Sequence, residues 1–265
     1  MKCKLLILAA FLLNISITVA QSPGEIDNKE RITSSDDVDS PKKNNFKISL
    51  TSLIFGNYQL QYERSLTKRI GLVVGYSFIP KGAVPFRTQL NDLTADNADT
   101  QGIFENAELG YKAFTPEIRF YLGKGYGKGF YVAPFYRNVR YDITNVNFTF
   151  SSEPAGVTKQ NLAMGGELTA NSFGLQLGAQ FYLGKHITLD WWIVGPHYGT
   201  SKGDFVGITD RNLTTFEQQE LKKELDNIEL PLSDIKTEVN TSGAKINVSG
   251  PWGGVRSGIS LGYRF

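Results

Sequence analysis

The sequence predicts an all-β chain, an eight-stranded antiparallel transmembrane up-and-down β-barrel with a short extracellular helix and hairpin in its last long loop. Three observations carry that expectation. Apolar residues alternate with period two in successive segments from Phe46 to Phe265, an export signal precedes them, and one strand–turn–strand segment recurs along the chain.

The export signal comes first. Lys2 and Lys4 give a positive start, Leu5 to Val19 is mostly apolar, and Thr18-Val19-Ala20 places short residues before Gln21. That is the pattern of a secretory signal peptide over residues 1–20 with cleavage after Ala20, too short and wrongly flanked for a membrane-spanning helix. Its removal lowers Lys+Arg from 28 to 26, equal to the 26 Asp+Glu, so the mature chain is formally neutral. No basic surplus points to nucleic acid. Cys3 is the only cysteine and leaves with the signal, which excludes a disulfide framework, a cysteine metal site and a cysteine nucleophile. Residues 21–45 are polar, charged and free of aromatics, and read as a disordered periplasmic leader ahead of the barrel at 46–265. No second apolar run of about 18 residues follows, so any crossing of a membrane has to use strands.

Eight strands follow from the alternation. Phe46, Ile48 and Leu50 share one parity, as do Tyr58, Leu60 and Tyr62, then Ile70, Leu72, Val74 and Tyr76. The pattern returns at Phe114–Leu122, at Phe173–Leu183, at Ile187–Ile193 and at Val255–Phe265; Phe130–Val139 is less regular but strand-like in composition. The opposite parity is polar and dotted with glycine: Lys47, Ser49, Gln59, Gln61, Gln176, Gln180, Thr188, Ser260, Gly71, Gly75 and Gly178 among them. A soluble ligand-binding barrel has apolar residues inside, so a polar interior face opposite an aliphatic-aromatic one points to lipid outside. Pro116 and Pro134 fall inside strands and predict bulges or missing ladder bonds, because a closed barrel has no free edge to hold them.

The connections set the orientation. Phe120-Tyr121-Leu122-Gly123-Lys124 recurs as Phe181-Tyr182-Leu183-Gly184-Lys185, each copy leading into a tight turn. Short turns fall at 67–69, 123–129 and 184–186, and long segments at 80–113, 140–172 and 198–254. Short turns face the periplasm in such barrels, and long loops face outward. The link at Phe55-Gly56-Asn57 is outside yet short.

The signal peptide, alternating strands and terminal Leu-Gly-Tyr-Arg-Phe resemble small eight-stranded outer-membrane barrels of the OmpX/OmpA type. The stretch YERSLTKRIGLVVGYSFIP and the repeated FYLGK resemble uncharacterised Bacteroidota-type outer-membrane β-barrel proteins. The resemblance covers residues 46–265, implies a bacterial outer-membrane location and brings no catalytic motif. It also implies outer-membrane lipid and lipopolysaccharide as surroundings, and the barrel-insertion machinery as a partner of the C-terminal Tyr263-Arg264-Phe265.

Candidate chemistry is sparse. Glu63, Glu117, Arg119, Asp190, Arg256 and Arg264 all point inward on the polar parity. An interior of eight strands is only wide enough for side chains to fill, so these charges are expected to pair as a plug, the alternatives being an ion or proton path or a paired-carboxylate site. His197, Ser201 and Asp204, near the outer rim, match the composition of a serine–histidine–acid group and would suit a lipid-modifying enzyme, but their spacing does not force triad geometry. Gly123–Gly129 is glycine-rich, yet a strand follows rather than the helix a phosphate loop requires. No catalytic, metal or cofactor residue is assigned.

The segment 198–254 carries the remaining signal. Thr214-Thr215-Phe216-Glu217 is a capping box that starts a helix over about 214–230, which Pro231 ends. Leu221, Leu225 and Ile228 form its apolar stripe, directed either at the barrel mouth or at an extracellular partner. Ile235–Val239 and Ala244–Val248 flank Thr241-Ser242-Gly243 as a hairpin. The expectation for function is a non-catalytic outer-membrane barrel presenting structured extracellular loops for binding, adhesion or envelope integrity. A lipid-modifying enzyme with a site at the rim is the alternative.

Overall fold

The computed structural model describes residues 42–84, 106–123, 125–151, 159–227 and 232–265. The expected signal peptide and most of the expected leader lie outside the described residues, and Asn44 and Asn45, at the leader's expected end, belong to the first strand. In chain order the elements are β1 (Asn44–Ser49), α1 (Leu50–Ile54), β2 (Tyr58–Ser65), β3 (Ile70–Ala83), β4 (Glu108–Tyr121), β5 (Gly129–Ser151), β6 (Lys159–Tyr182), β7 (Ile187–Ile208), α2 (Thr215–Asp226), β8 (Asp234–Asn240) and β9 (Gly243–Arg264).

Eight strands close into an antiparallel ring, β1 through β7 and then β9 back onto β1, with β8 appended to the upper end of β9. Every neighbour in the ring is sequential apart from the excursion through β8, so the barrel is up-and-down. Asn44 and Phe265 exchange backbone hydrogen bonds at 3.2 and 3.0 Å, which joins the two ends of the chain at one rim. The repeated hairpins differ in their glycines. Gly184 turns with φ +101°, whereas a Cβ on Gly123 would lie 2.2 Å from the Lys128 carbonyl oxygen, so only glycine lets the strands approach there.

The strands are longer than the alternation suggests. β5, β6, β7 and β9 have 22 to 24 residues, whereas about 9–11 cross a bilayer when tilted. The segments expected as long loops at 140–172 and 198–254 are therefore mostly strand, and their connections shrink to 152–158 and 209–242. The reason shows along β6. Leu162, Met164, Leu168 and Ala170 are buried in its upper half, and Ser172, Gln176 and Gln180 continue the same buried parity below. Outward, Asn161, Glu167 and Asn171 give way to exposed Phe173, Leu175 and Leu177. Both faces exchange polarity at the same height without any shift in register there.

The exchange is level around this side of the barrel. Asn138 pairs with Asn171 and Asn171 with Thr200, while the row beneath is Tyr136, Phe173 and Tyr198. Tyr136 donates to Asn171 Oδ1 at 2.5 Å and its ring lies 5.1 Å from that of Phe173. Above this level the interior is an apolar core including Tyr141, Ile143, Leu162, Ile246 and Trp252; below it the interior is polar and the exterior apolar.

Three local findings refine the expectations. The β4–β5 register stays constant across Pro116 and Pro134, but ladder partners are missing on either side of Glu117, so bonds are lost at that seam without a bulge. The irregularity in β5 falls instead between Ile143 and Val146, at Asn145 with φ +58°. The expected hairpin is not a separate unit. Its second arm is the upper end of β9, which pairs with β8 on one side and β7 on the other.

The helix begins where its capping box places it. Thr214 Oγ1 accepts from Glu217 N at 3.3 Å, and Glu217 Oε2 accepts from Thr214 N at 2.8 Å. It ends at Asp226 with Asn227 as cap, short of the expected residue 230. Leu221 and Leu225 are buried in the chain's own upper core, which corrects their reading as a surface free for a partner; Ile228 lies outside the described residues. Burial of each contributes about 1.5–3 kcal/mol.

β1 and β2 are the exceptions in height, with 6 and 8 residues. The short link between them is α1, tied down where Ile259 N donates to Thr51 Oγ1 at 3.3 Å. Among the described residues, β9 therefore has a strand neighbour only on the β7 side over residues 250–259, where α1 meets the lower part of that edge in place of a strand.

Candidate functional site: the charged layer inside the barrel

Period-two geometry puts Lys47 of β1, Glu63 of β2, Glu117 and Arg119 of β4, Asp190 of β7 and Arg256 of β9 on the inward face. All six are buried. Glycines opposite make the room: a Cβ on Gly178 would sit 2.3 Å from the Tyr131 ring, which needs that space to reach Asp190.

Lys47 Nζ lies 2.5 Å from Glu63 Oε2 and 2.7 Å from Asp190 Oδ2, and also donates to Gln180. Arg119 Nη1 meets Asp190 Oδ2 at 2.6 Å, while its Nη2 and Nε reach Glu117 Oε2 at 3.2 and 3.3 Å. Arg256 Nη2 donates to the other oxygen of Glu117 at 2.8 Å. Two phenols complete the carboxylates, Tyr121 donating to Glu63 at 2.5 Å and Tyr131 to Asp190 at 2.8 Å. The Arg119 guanidinium also stacks on Tyr131, 4.3 Å from the ring centre.

Three cations thus face three carboxylates, and each carboxylate holds at least two donors. Buried charges need such saturation to offset their desolvation. The arrangement leaves each of the three carboxylates paired with cations. Such mutual pairing is what a plug of side chains requires.

Five of the six residues singled out from the sequence meet here. Arg264 does not: as the last residue of β9 it sits at the rim below the layer, where its guanidinium lies 3.6 Å from the Tyr182 ring centre and donates to the Lys42 carbonyl at 3.3 Å. Lys47, not counted among the expected charges of the layer, takes the place expected of Arg264. Its signal was its inward parity in a strand facing three acidic positions.

The rim residues do not assemble. His197 Nδ1 has no hydrogen-bond partner among the described residues, Ser201 Oγ donates to the Gly250 carbonyl at 3.3 Å, and Asp204 faces outward and accepts from Asn247. The glycine-rich turn caps the lower end, Gly127 O accepting from Gln180 Nε2 at 2.5 Å. No protein-family model and no curated protein matches the chain, so the resemblance to Bacteroidota and OmpX-like barrels rests on the residues that suggested it, beside a ring of eight antiparallel strands.

Proposed function

We propose that the protein is an exported, non-catalytic outer-membrane barrel that holds a rigid turret above the membrane for binding, adhesion or envelope integrity. The simultaneous exchange of polarity on both faces carries this reading. Phe46, Leu72, Phe120, Leu175 and Leu261 belong to an exposed apolar belt too extensive for a soluble monomer's surface. Lipid is the covering that suits it, and the row Tyr136, Phe173 and Tyr198 matches an aromatic girdle at one interface. Above that row the same strands have the interior of a soluble protein, which fits a turret standing in water. Exposed Tyr263 and Phe265, at the lower rim, suit recognition by the insertion machinery.

Because the only natural cysteine precedes the barrel, single cysteines report topology cleanly. With Lys245→Cys in the turret and Lys68→Cys in a lower turn, an impermeant maleimide should label residue 245 on intact cells and residue 68 only after permeabilisation. Recovery of the protein in the soluble periplasm, or equal labelling of both sites, overturns the reading.

A further inference from the structure

Directly above the charged layer the lumen is not filled. A cavity of about 90 Å³ lies between Trp192 and Arg256 below and Tyr111 and Trp252 above, with Arg137 and His197 in its wall. Among its lining atoms without a partner in the described residues, donors outnumber the one acceptor, Asn57 Oδ1. Arg256 is 5% exposed and reaches Glu117 through Nη2, but its Nη1 has no partner among the described residues, and neither has the indole nitrogen of Trp192, which is 3% exposed. Arg137 is half-buried and, among the described residues, donates to two neutral oxygens, Thr115 Oγ1 at 3.3 Å and the Tyr111 hydroxyl. With Arg137 counted, four interior cations face three carboxylates, and the surplus positive charge lies at the cavity. A buried cation without counter-charge is very costly and orphaned buried donors are rare. Surplus positive charge and orphaned donors at one cavity favour a negatively charged acceptor there.

We propose that this cavity binds one anionic group, a carboxylate or a phosphate, held by Arg137, Arg256 and the indole N–H of Trp192. Guanidinium forks match both groups in geometry, and the volume far exceeds the roughly 10–15 Å³ that one water needs. Entry is from the side. The apolar core closes the top, whereas Gly253, Gly254 and Ser257 line the cavity where β9 has lost its second neighbour. Leu53 and Ile54 of α1 are exposed beside the cavity-lining Thr51, Ser52 and Phe55. That route suits an amphiphile whose tail lies along the apolar belt; a free anion is the other source. The anion site depends on the barrel interior alone, and the amphiphile also on the membrane reading above.

Trp192 and Trp252 line the cavity and Trp191 is the only other tryptophan, so intrinsic fluorescence reports occupancy. The purified protein in non-ionic detergent is titrated with dodecanoate, dodecanol, acetate and inorganic phosphate. Dodecanoate should saturate, dodecanol should not, and Arg137→Gln should weaken binding by about ten-fold or more, with Arg137→Lys recovering part. Arg137 lies above the charged layer and its loss strands no carboxylate, so the variant should keep the gel mobility of the folded barrel. Saturation by phosphate or acetate with the same Arg137 dependence, and no gain from the chain, supports the anion site and assigns it to a free anion. Failure of every anion to saturate, or undiminished binding in Arg137→Gln, overturns the proposal.

Discussion

Replacing Arg119 by methionine tests the charged layer most sharply, because it removes the charge while leaving much of the side-chain volume. Arg119 is fully buried and contacts Asp190 at 2.6 Å and Glu117 at 3.2 Å, with Glu63 at 3.5 Å. Without it Asp190 keeps Lys47 and Tyr131, Glu117 keeps only Arg256, and three carboxylates face two cations. Breaking a buried pair from one side costs about 3–5 kcal/mol, and that is the expected loss for Arg119→Met. Adding Asp190→Asn restores neutrality, so the double variant should recover about 0.5–3 kcal/mol relative to the sum of the singles, the range of coupling found for residues in one network. Reversible urea unfolding in lipid vesicles, followed by tryptophan fluorescence, measures all three. A loss under about 1 kcal/mol for Arg119→Met, or strict additivity in the cycle, would refute the pairing.

The remaining predictions concern the cap and the lumen. Leu221→Asp with Leu225→Asp should remove about 3–6 kcal/mol of apolar burial; amide hydrogen exchange should rise across 215–226 and stay slow in β6 and β7. Arg211 donates to Glu217 at 2.9 Å and, with the capping-box bonds from Thr214, holds its carboxyl at about 2, below its ordinary 4.5. A depressed carboxylate stabilises the cap at pH above its unfolded value and loses that contribution as pH falls from about 4.5 through about 2; helix protection should fade over that window in wild type and much less in Glu217→Gln. With its lumen plugged, the protein in planar bilayers should show no large, stable conductance; persistent open channels would contradict the filled interior.

The lower half of the barrel was legible because its strands keep one phase, apolar out and polar in, over about ten residues. The upper half was not, because Leu162, Met164 and Leu168 occupy the phase opposite to Phe173, Leu175 and Leu177. A phase flip looks like the end of a strand when the strand in fact continues with the polarity of its two faces exchanged. Thr214 and Glu217 announced the helix through purely local bonds, but what Leu221 and Leu225 bury against is tertiary, and the sequence offered both the chain and a partner. The inward parity of Glu63, Glu117, Arg119, Asp190 and Arg256 brought them together as expected. Arg264 shares that parity yet misses the layer, since parity gives the face of a residue and says nothing of its height along the axis. The short β1 and β2, which leave β9 without a second strand neighbour over residues 250–259, left a trace in the brevity of the link at Phe55-Gly56-Asn57, and the nearby cavity needed coordinates.

On the proposed reading, water gives way to lipid along a continuous strand. Single nitroxide labels at Glu167, Asn171, Phe173, Leu175 and Leu177 of β6, in protein reconstituted into vesicles, read that boundary through collisions with molecular oxygen and with an aqueous nickel complex. Nickel access should dominate at 167 and 171 and collapse between 171 and 173, with oxygen access dominating at 175 and 177. The same accessibility at all five positions would contradict the exchange of solvent on which both the belt and the turret depend.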